Sequence, residues 1–184
     1  MFEALSMEDE TQRKKNYFFQ QGKREDFSYD YWKTIELSPK LPELIVRYLF
    51  VNSGKKEISG MQYAHNFIAF NDEVPAGTYM TMPSPFMITP KRANPSWRYS
   101  QGKILFQGLK PSFSYIRYSG WMSVEICFPG GMGIRLMDDF AEKCALHTGM
   151  NYICPEFFTT LRLRPGEKVR FTRKYEIKNK GKLK

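Results

Sequence analysis

From Tyr31 onward the chain reads as a series of short strands. Trp32–Leu37 is short and rich in β-formers, and Pro39 and Pro42 bracket a turn after it. Leu44–Val51 is a near-continuous apolar run, as a central strand requires. Asn52-Ser53-Gly54 then supplies turn chemistry. In Gln62–Phe70, Tyr63, His65, Phe67 and Ala69 alternate with Ala64, Asn66, Ile68 and Phe70. Both faces are apolar enough that the pattern does not orient the segment. Thr78–Ile88 is extended but carries Pro83 and Pro85, which places it at a sheet edge or in a loop. Lys91–Arg98 reads as a polar loop. Lys103–Gln107, Phe113–Tyr118 and Trp121–Phe128 are further strands, separated by Gly102, Gly108, Pro111 and Gly120.

Two segments carry helical spacing. Met7, Thr11, Lys14 and Phe18 share a face weakly, so Met7–Phe19 admits a short helix. Ile134, Met137, Phe140, Ala141 and Cys144 fall at helical spacing within Ile134–Leu146, with Asp138 and Asp139 facing out and Gly149 as the C′ residue. The pattern predicts an all-β protein with one helix, built as an antiparallel β-sandwich or jelly roll of about eight strands. Residues 1–30 are expected as an N-terminal arm, 31–177 as one β-sandwich domain and 178–184 as a basic tail.

Phe157–Arg164 and Lys168–Ile177 flank Pro165-Gly166-Glu167, a hairpin signal. The pleat sends alternate side chains to opposite faces. Such a hairpin would gather Arg162, Arg164, Lys168, Arg170 and Lys174 on one side. Val169, Phe171, Tyr175 and Ile177 would lie on the other, interrupted by Arg173.

Charge sharpens this picture. The 184 residues carry a net charge of +9, and residues 161–184 alone hold ten basic against two acidic residues. Residues 1–31 hold five basic against seven acidic residues. A basic face continued by Lys178, Lys180 and the terminal lysines is the electrostatic footprint of a polyanion. Aromatic residues make up 16% of the chain. Trp97-Arg98-Tyr99, with Tyr115 and Tyr118, interleaves rings and cations, as single-strand binders do. The candidate nucleic-acid contacts are therefore Arg162, Arg164, Lys168, Arg170, Lys174, Lys178, Lys180, Trp97, Arg98 and Tyr99.

Catalytic chemistry is thinly represented. The chain has two histidines, His65 and His147, and three cysteines, Cys127, Cys144 and Cys154. Cys144 and His147 would share a face if their segment were helical, but the spacing fits no zinc-finger pattern. The thiols are expected to be reduced and inert, with no metal site and no cofactor. Gly130-Gly131-Met132-Gly133 lacks the partners of a phosphate loop and reads as a turn. Glu125 and Asp138 are conceivable acid–base groups, with nothing in the sequence to select them. No catalytic residue is assigned, and the expectation is a protein that is not an enzyme. The start of the chain lacks a signal-peptide pattern, and the longest charge-free run, Val74 to Pro90, carries Pro75, Pro83, Pro85 and Pro90 and so cannot be a membrane helix. An intracellular or virion protein without a membrane partner is expected.

The segment Leu161-Arg162-Leu163-Arg164-Pro165-Gly166-Glu167-Lys168-Val169-Arg170-Phe171, in a chain of short aromatic-rich strands, resembles the jelly-roll coat proteins of small circular single-stranded DNA viruses. The resemblance covers about the last fifth of the chain. It departs at residues 1–31, which are slightly acidic where such coats carry an Arg-rich arm. It implies a self-assembling capsid protein, a homo-oligomer with a basic surface on single-stranded DNA or RNA. The alternative is a non-enzymatic single-strand-binding module with an OB-like or sheet platform.

Overall fold

The computed structural model describes residues 3–8, 14–82, 86–89, 96–108, 110–118 and 122–179. Fifteen strands run through them: β1 (Glu3–Glu8), β2 (Lys14–Arg24), β3 (Phe27–Leu37), β4 (Glu43–Asn52), β5 (Ile58–His65), β6 (Tyr79–Thr81), β7 (Phe86–Thr89), β8 (Trp97–Ser100), β9 (Lys103–Phe106), β10 (Ser112–Tyr118), β11 (Met122–Cys127), β12 (Met132–Asp138), β13 (Lys143–Thr148), β14 (Ile153–Leu163) and β15 (Lys168–Asn179). The strands fall into two sheets, and every described pairing with a resolved register is antiparallel. Among the described residues the helical content is one 3-10 turn at Pro129–Gly131. The all-β class holds, with more strands than the sequence pattern predicts.

The chain divides into two units. The first comprises residues 1–62 and 160–176, with strand order β1-β2-β3-β4-β15. Lys14–Arg24 pairs along its whole length with β3, so a strand stands where the weak helical spacing suggested a helix. Tyr29, Tyr31, Phe50, Tyr48 and Phe171 share one face, with Tyr48 stacked on Phe171 at 4.5 Å. Arg173 also points to that face. It is almost fully buried, its guanidinium lies 5.5 Å from the Tyr48 ring centre, and it donates to the Tyr48 hydroxyl at 3.4 Å.

Asn52 locks two turns of this unit together. Its buried side-chain amide donates to the Leu163 and Lys56 carbonyls at 2.8 Å each, and its side-chain oxygen accepts from the Gly54 N–H at 3.0 Å. Its backbone N–H donates to the Glu167 carbonyl, and its own carbonyl accepts from the Gly166 N–H. Gly166 adopts φ +81°, a conformation that suits glycine at this turn.

The second unit comprises residues 63–159 and 177–184. It holds the order β12-β11-β6-β9-β8 and, in the other sheet, β14-β13-β10-β7. Met80, Ile104, Val124, Ile126 and Leu136 are fully buried on the first set, and Ile116, Cys144, Leu146, Ile153 and Phe157 are nearly or fully buried on the second.

The helix expected over Ile134–Leu146 is not formed. The segment is instead β12, a turn, and β13. Asp138 is buried, not solvent-facing, and its carboxylate accepts the Phe140 and Ala141 N–H groups at 2.9 and 2.8 Å. That side-chain cap makes the turn between the strands. Long-range pairing decides the outcome, because Leu136 is set opposite Val124 and Cys144 opposite Phe157. Local spacing of apolar residues does not encode those partners.

The last two strands do flank a Pro165-Gly166-Glu167 turn, but they are neighbours in neither sheet. β15 pairs with β4 and β14 with β13. The shared basic face of a two-stranded ribbon therefore does not arise.

Replacing Asn52 by Ala removes the side-chain partner of the buried Leu163 carbonyl and of the part-buried Lys56 carbonyl and Gly54 N–H. The N52A variant is expected to unfold in urea with a loss of about 2–4 kcal/mol. A loss below about 0.5 kcal/mol would show that these bonds do not hold the turns.

Candidate active site

The residues selected from the sequence are scattered. Arg162 pairs with Glu57 at 3.0 Å, and Lys174 bridges Glu43 and Glu176 at 2.7 and 2.9 Å. Those two carboxylates raise the Lys174 pKa through their hydrogen bonds. The Arg164 backbone N–H donates to the Glu167 carboxylate, and its side chain is exposed. Lys168 and Arg170 are exposed on β15, and Lys178 is half-buried near its end. Lys180 lies outside the described residues. Trp97 is a buried core residue, while Arg98 and Tyr99 are exposed on β8.

Glu125 is committed to structure. Both Nε and Nη2 of Arg135 contact one of its oxygens, at 3.0 and 2.7 Å. Cys144 and His147 sit three apart on a strand, which turns them to opposite faces. Among the described residues no group of three His, Cys, Asp or Glu side chains is placed to hold a metal.

A different constellation forms in the second unit. β14 is buried from Ile153 to Thr159, yet Glu156 lies in the middle of that run. A buried carboxylate requires a partner. His65, at the end of β5, provides it: its Nε2 is 3.1 Å from Glu156 Oε1, the imidazole 43% exposed and the carboxylate 7%. When Nε2–H donates to the carboxylate, Nδ1 keeps its lone pair.

Rings extend from this pair in both directions. Phe158 stacks on Tyr63 at 5.2 Å, and Tyr63 meets His65 edge-on at 4.9 Å. His65 lies 5.5 Å from Phe67, and Phe67 lies 4.9 Å from Tyr152. Tyr152 in turn lies 5.6 Å from His147, with its hydroxyl 3.3 Å from His147 Nδ1. Both histidines of the chain thus belong to one continuous ladder.

Pairing explains the assembly. His147 stands opposite Cys154 and Ala145 opposite Glu156, so His147 and Glu156 project from one face of the sheet. The bridge Ile68↔Ile153 continues the line that sets His65 beside Glu156. Gly149, expected as a helix C′ residue, instead ends β13 and donates its N–H to the Tyr152 carbonyl at 3.1 Å. A Cβ at Gly149 would collide with the Tyr152 ring, so glycine is needed for that ring to lie where it does.

The sequence carried a signal for this site. Tyr63, His65 and Phe67 alternate, and Glu156 is a lone charge inside an apolar strand. Neither fact pairs the two segments, which are far apart in the chain.

The neighbouring thiols are kept neutral. Burial, then the Glu156 charge, pushes the Cys154 thiol up to about 12, against a backbone hydrogen bond from Asn66 that lowers it. Burial raises Cys144 further. All three cysteines are free and buried.

No protein-family model matches the chain, and no curated protein matches it. Solved structures do. A candidate aldose 1-epimerase from Klebsiella pneumoniae superposes with TM-score 0.78 at 10% identity, covering 97% of this chain and 54% of that one. A galactose mutarotase related enzyme from Lactobacillus acidophilus gives TM-score 0.74 at 13% identity, covering 96% and 70%. A galactose mutarotase-like protein from Lactobacillus casei gives 0.72 at 15% identity, covering 96% and 72%. The chain thus spans about half to three quarters of the length of these proteins.

This likeness fixes the fold and corrects the sequence-based expectations. The chain does not share the architecture expected from the jelly-roll coat-protein resemblance. With that resemblance fall the capsid, the virion, the single-stranded nucleic-acid partner and the assembling homo-oligomer. The single-strand-binding alternative falls with them. The expectation of a non-enzyme is likewise overturned at the level of fold, since the fold is one found in proteins described as epimerases and mutarotase-related enzymes. No helix among the described residues is long and apolar enough to cross a membrane.

Cys144 and Cys154 should resist Ellman's reagent in the folded protein at about pH 8 and react fully once urea unfolds it, because only unfolding restores an ordinary thiol pKa. Rapid reaction of the native protein would contradict the burial of both faces of this sheet.

Proposed function

We propose that the chain is a carbohydrate-processing protein that binds an aldose on the ring ladder of its second unit and promotes interconversion of the sugar's anomers. The observation that carries this reading is the buried Glu156 carboxylate held against the exposed His65 imidazole between Tyr63 and Phe67. The fold likeness to proteins described as aldose 1-epimerase and galactose mutarotase-like supports it.

Anomer exchange needs one proton removed from the O1 hydroxyl and one delivered to the ring oxygen. The C1–O5 bond then breaks to give the open-chain aldehyde. Rotation about C1–C2 and closure on the other face complete the exchange, and the two protons balance. His65, oriented by Glu156, is suited to accept the O1 proton at Nδ1. His147, whose Nδ1 faces the Tyr152 hydroxyl, is suited to carry a proton on Nε2. The two imidazoles stand on β5 and β13, the strands either side of β14, and both project from the face that carries Glu156. Tyr63 and Phe67 are 50% and 60% exposed, and present apolar faces to the C–H side of a pyranose.

Polarimetry of freshly dissolved α-D-galactose and α-D-glucose tests this. The protein is expected to speed the approach to equilibrium, and Glu156→Gln or His65→Ala to cut the rate by about 100-fold or more. Phe67→Ala should raise KM more than it lowers kcat. If the wild-type protein leaves the rate at that of buffer, the proposal fails.

A further inference from the structure

The first unit holds a groove of about 230 Å³ lined by Gln20, Tyr29, Tyr31, Phe50, Gln62, Leu161 and Phe171. It is smaller than the roughly 300–1,000 Å³ of pockets for drug-sized ligands. Its walls are aromatic and its polar atoms are amides and phenols, with no charged side chain in the lining. Among the described residues neither the Gln20 nor the Gln62 side-chain amide has a hydrogen-bond partner, nor does the Tyr31 hydroxyl.

The walls are preorganised. Tyr29 stacks on Phe50 at 5.2 Å, and its ring lies over Gly22, where a Cβ would collide with it. Tyr31 meets Phe50 edge-on, with the rings at 63°. The neighbouring Arg173 charge is occupied by the Tyr48 ring and hydroxyl. Burial and the nearby Tyr48 raise the Tyr31 pKa, so this phenol remains a proton donor throughout the neutral range.

We propose that this groove is a second, non-catalytic binding site that takes one neutral pyranose. A charged ligand would find no counter-charge in the lining. Tyr29 and Phe50 stack on each other and offer a one-sided platform, on which a nucleobase also stacks, so adenosine is the competing ligand that the test separates. A pyranose fits such a platform: its C–H face lies on a ring while its hydroxyls exchange hydrogen bonds with Gln20, Gln62 and Tyr31. The site uses none of His65, Glu156 and His147, so its occupancy does not depend on the residues proposed for anomer exchange.

The test is an NMR titration of the full chain with methyl β-D-galactopyranoside and methyl β-D-glucopyranoside, whose locked anomeric centres cannot react. The side-chain amide signals of Gln20 and Gln62 are expected to shift saturably with at least one of the two. They should shift equally in the Glu156→Gln variant, which separates this site from the catalytic proposal. Tyr31→Phe, which keeps the ring, should weaken binding about fivefold or more. Amide signals that stay fixed with both glycosides would overturn the proposal. So would signals that move only with adenosine, or binding unchanged by Tyr31→Phe in a variant whose spectrum remains that of the folded protein.

Discussion

A carboxylate within a buried strand cannot remain there unpaired, and the second unit is arranged around that requirement. Glu156 is surrounded by the apolar residues of β14, and His65 is the group that meets it. Desolvating an isolated charge costs several kcal/mol, even after the protein relaxes. The register that delivers His65 to Glu156 is therefore a condition of the fold as well as of the chemistry. The same register lines up Tyr63 with Phe158 and places Phe67 near Tyr152. One pairing choice thus produces both a compensated carboxylate and an open aromatic surface beside it.

The two units meet polar burial differently. In the first, Asn52 uses its side-chain amide, its side-chain oxygen and both backbone groups, so two turns are fixed without any charge. Arg173 is buried there against a phenol and its ring. In the second, Asp138 spends its carboxylate on two turn N–H groups and Glu125 on Arg135. Glu156 differs from these acids because its observed partner is an imidazole that reaches solvent. An exposed histidine backed by a buried carboxylate can exchange protons, whereas an acid saturated by backbone or guanidinium donors is a poor proton acceptor.

Much of the strand pattern was legible in the residues. Leu44–Val51, Lys103–Gln107, Phe113–Tyr118 and Lys168–Ile177 all correspond to strands, because period-two alternation and apolar runs are local properties. The Ile134–Leu146 segment misled because Met137, Phe140, Ala141 and Cys144 satisfy helical spacing while the true partners, Val124 and Phe157, lie elsewhere in sequence. The basic ribbon misled for a related reason. Its turn is real, but β14 and β15 take different neighbours, and Arg162 and Lys174 find carboxylates on distant segments. His65 and Glu156 are ninety-one residues apart, and no local period links them. The basic charges of the last two strands are numerous, while the group that organises the candidate site is a single acid out of place in an apolar strand.

With only two histidines, the imidazole signals of this protein can be assigned by substitution of each in turn. Titration with D-galactose, followed by NMR of the imidazole ring protons, therefore probes the site directly. If sugar binds on the ring ladder, both His65 and His147 ring signals shift together and saturate, and Glu156→Gln displaces the His65 signals before any sugar is added. If both rings remain unmoved while the sugar is added to excess, the pairing of His65 with Glu156 is structural and the ladder is not a carbohydrate site.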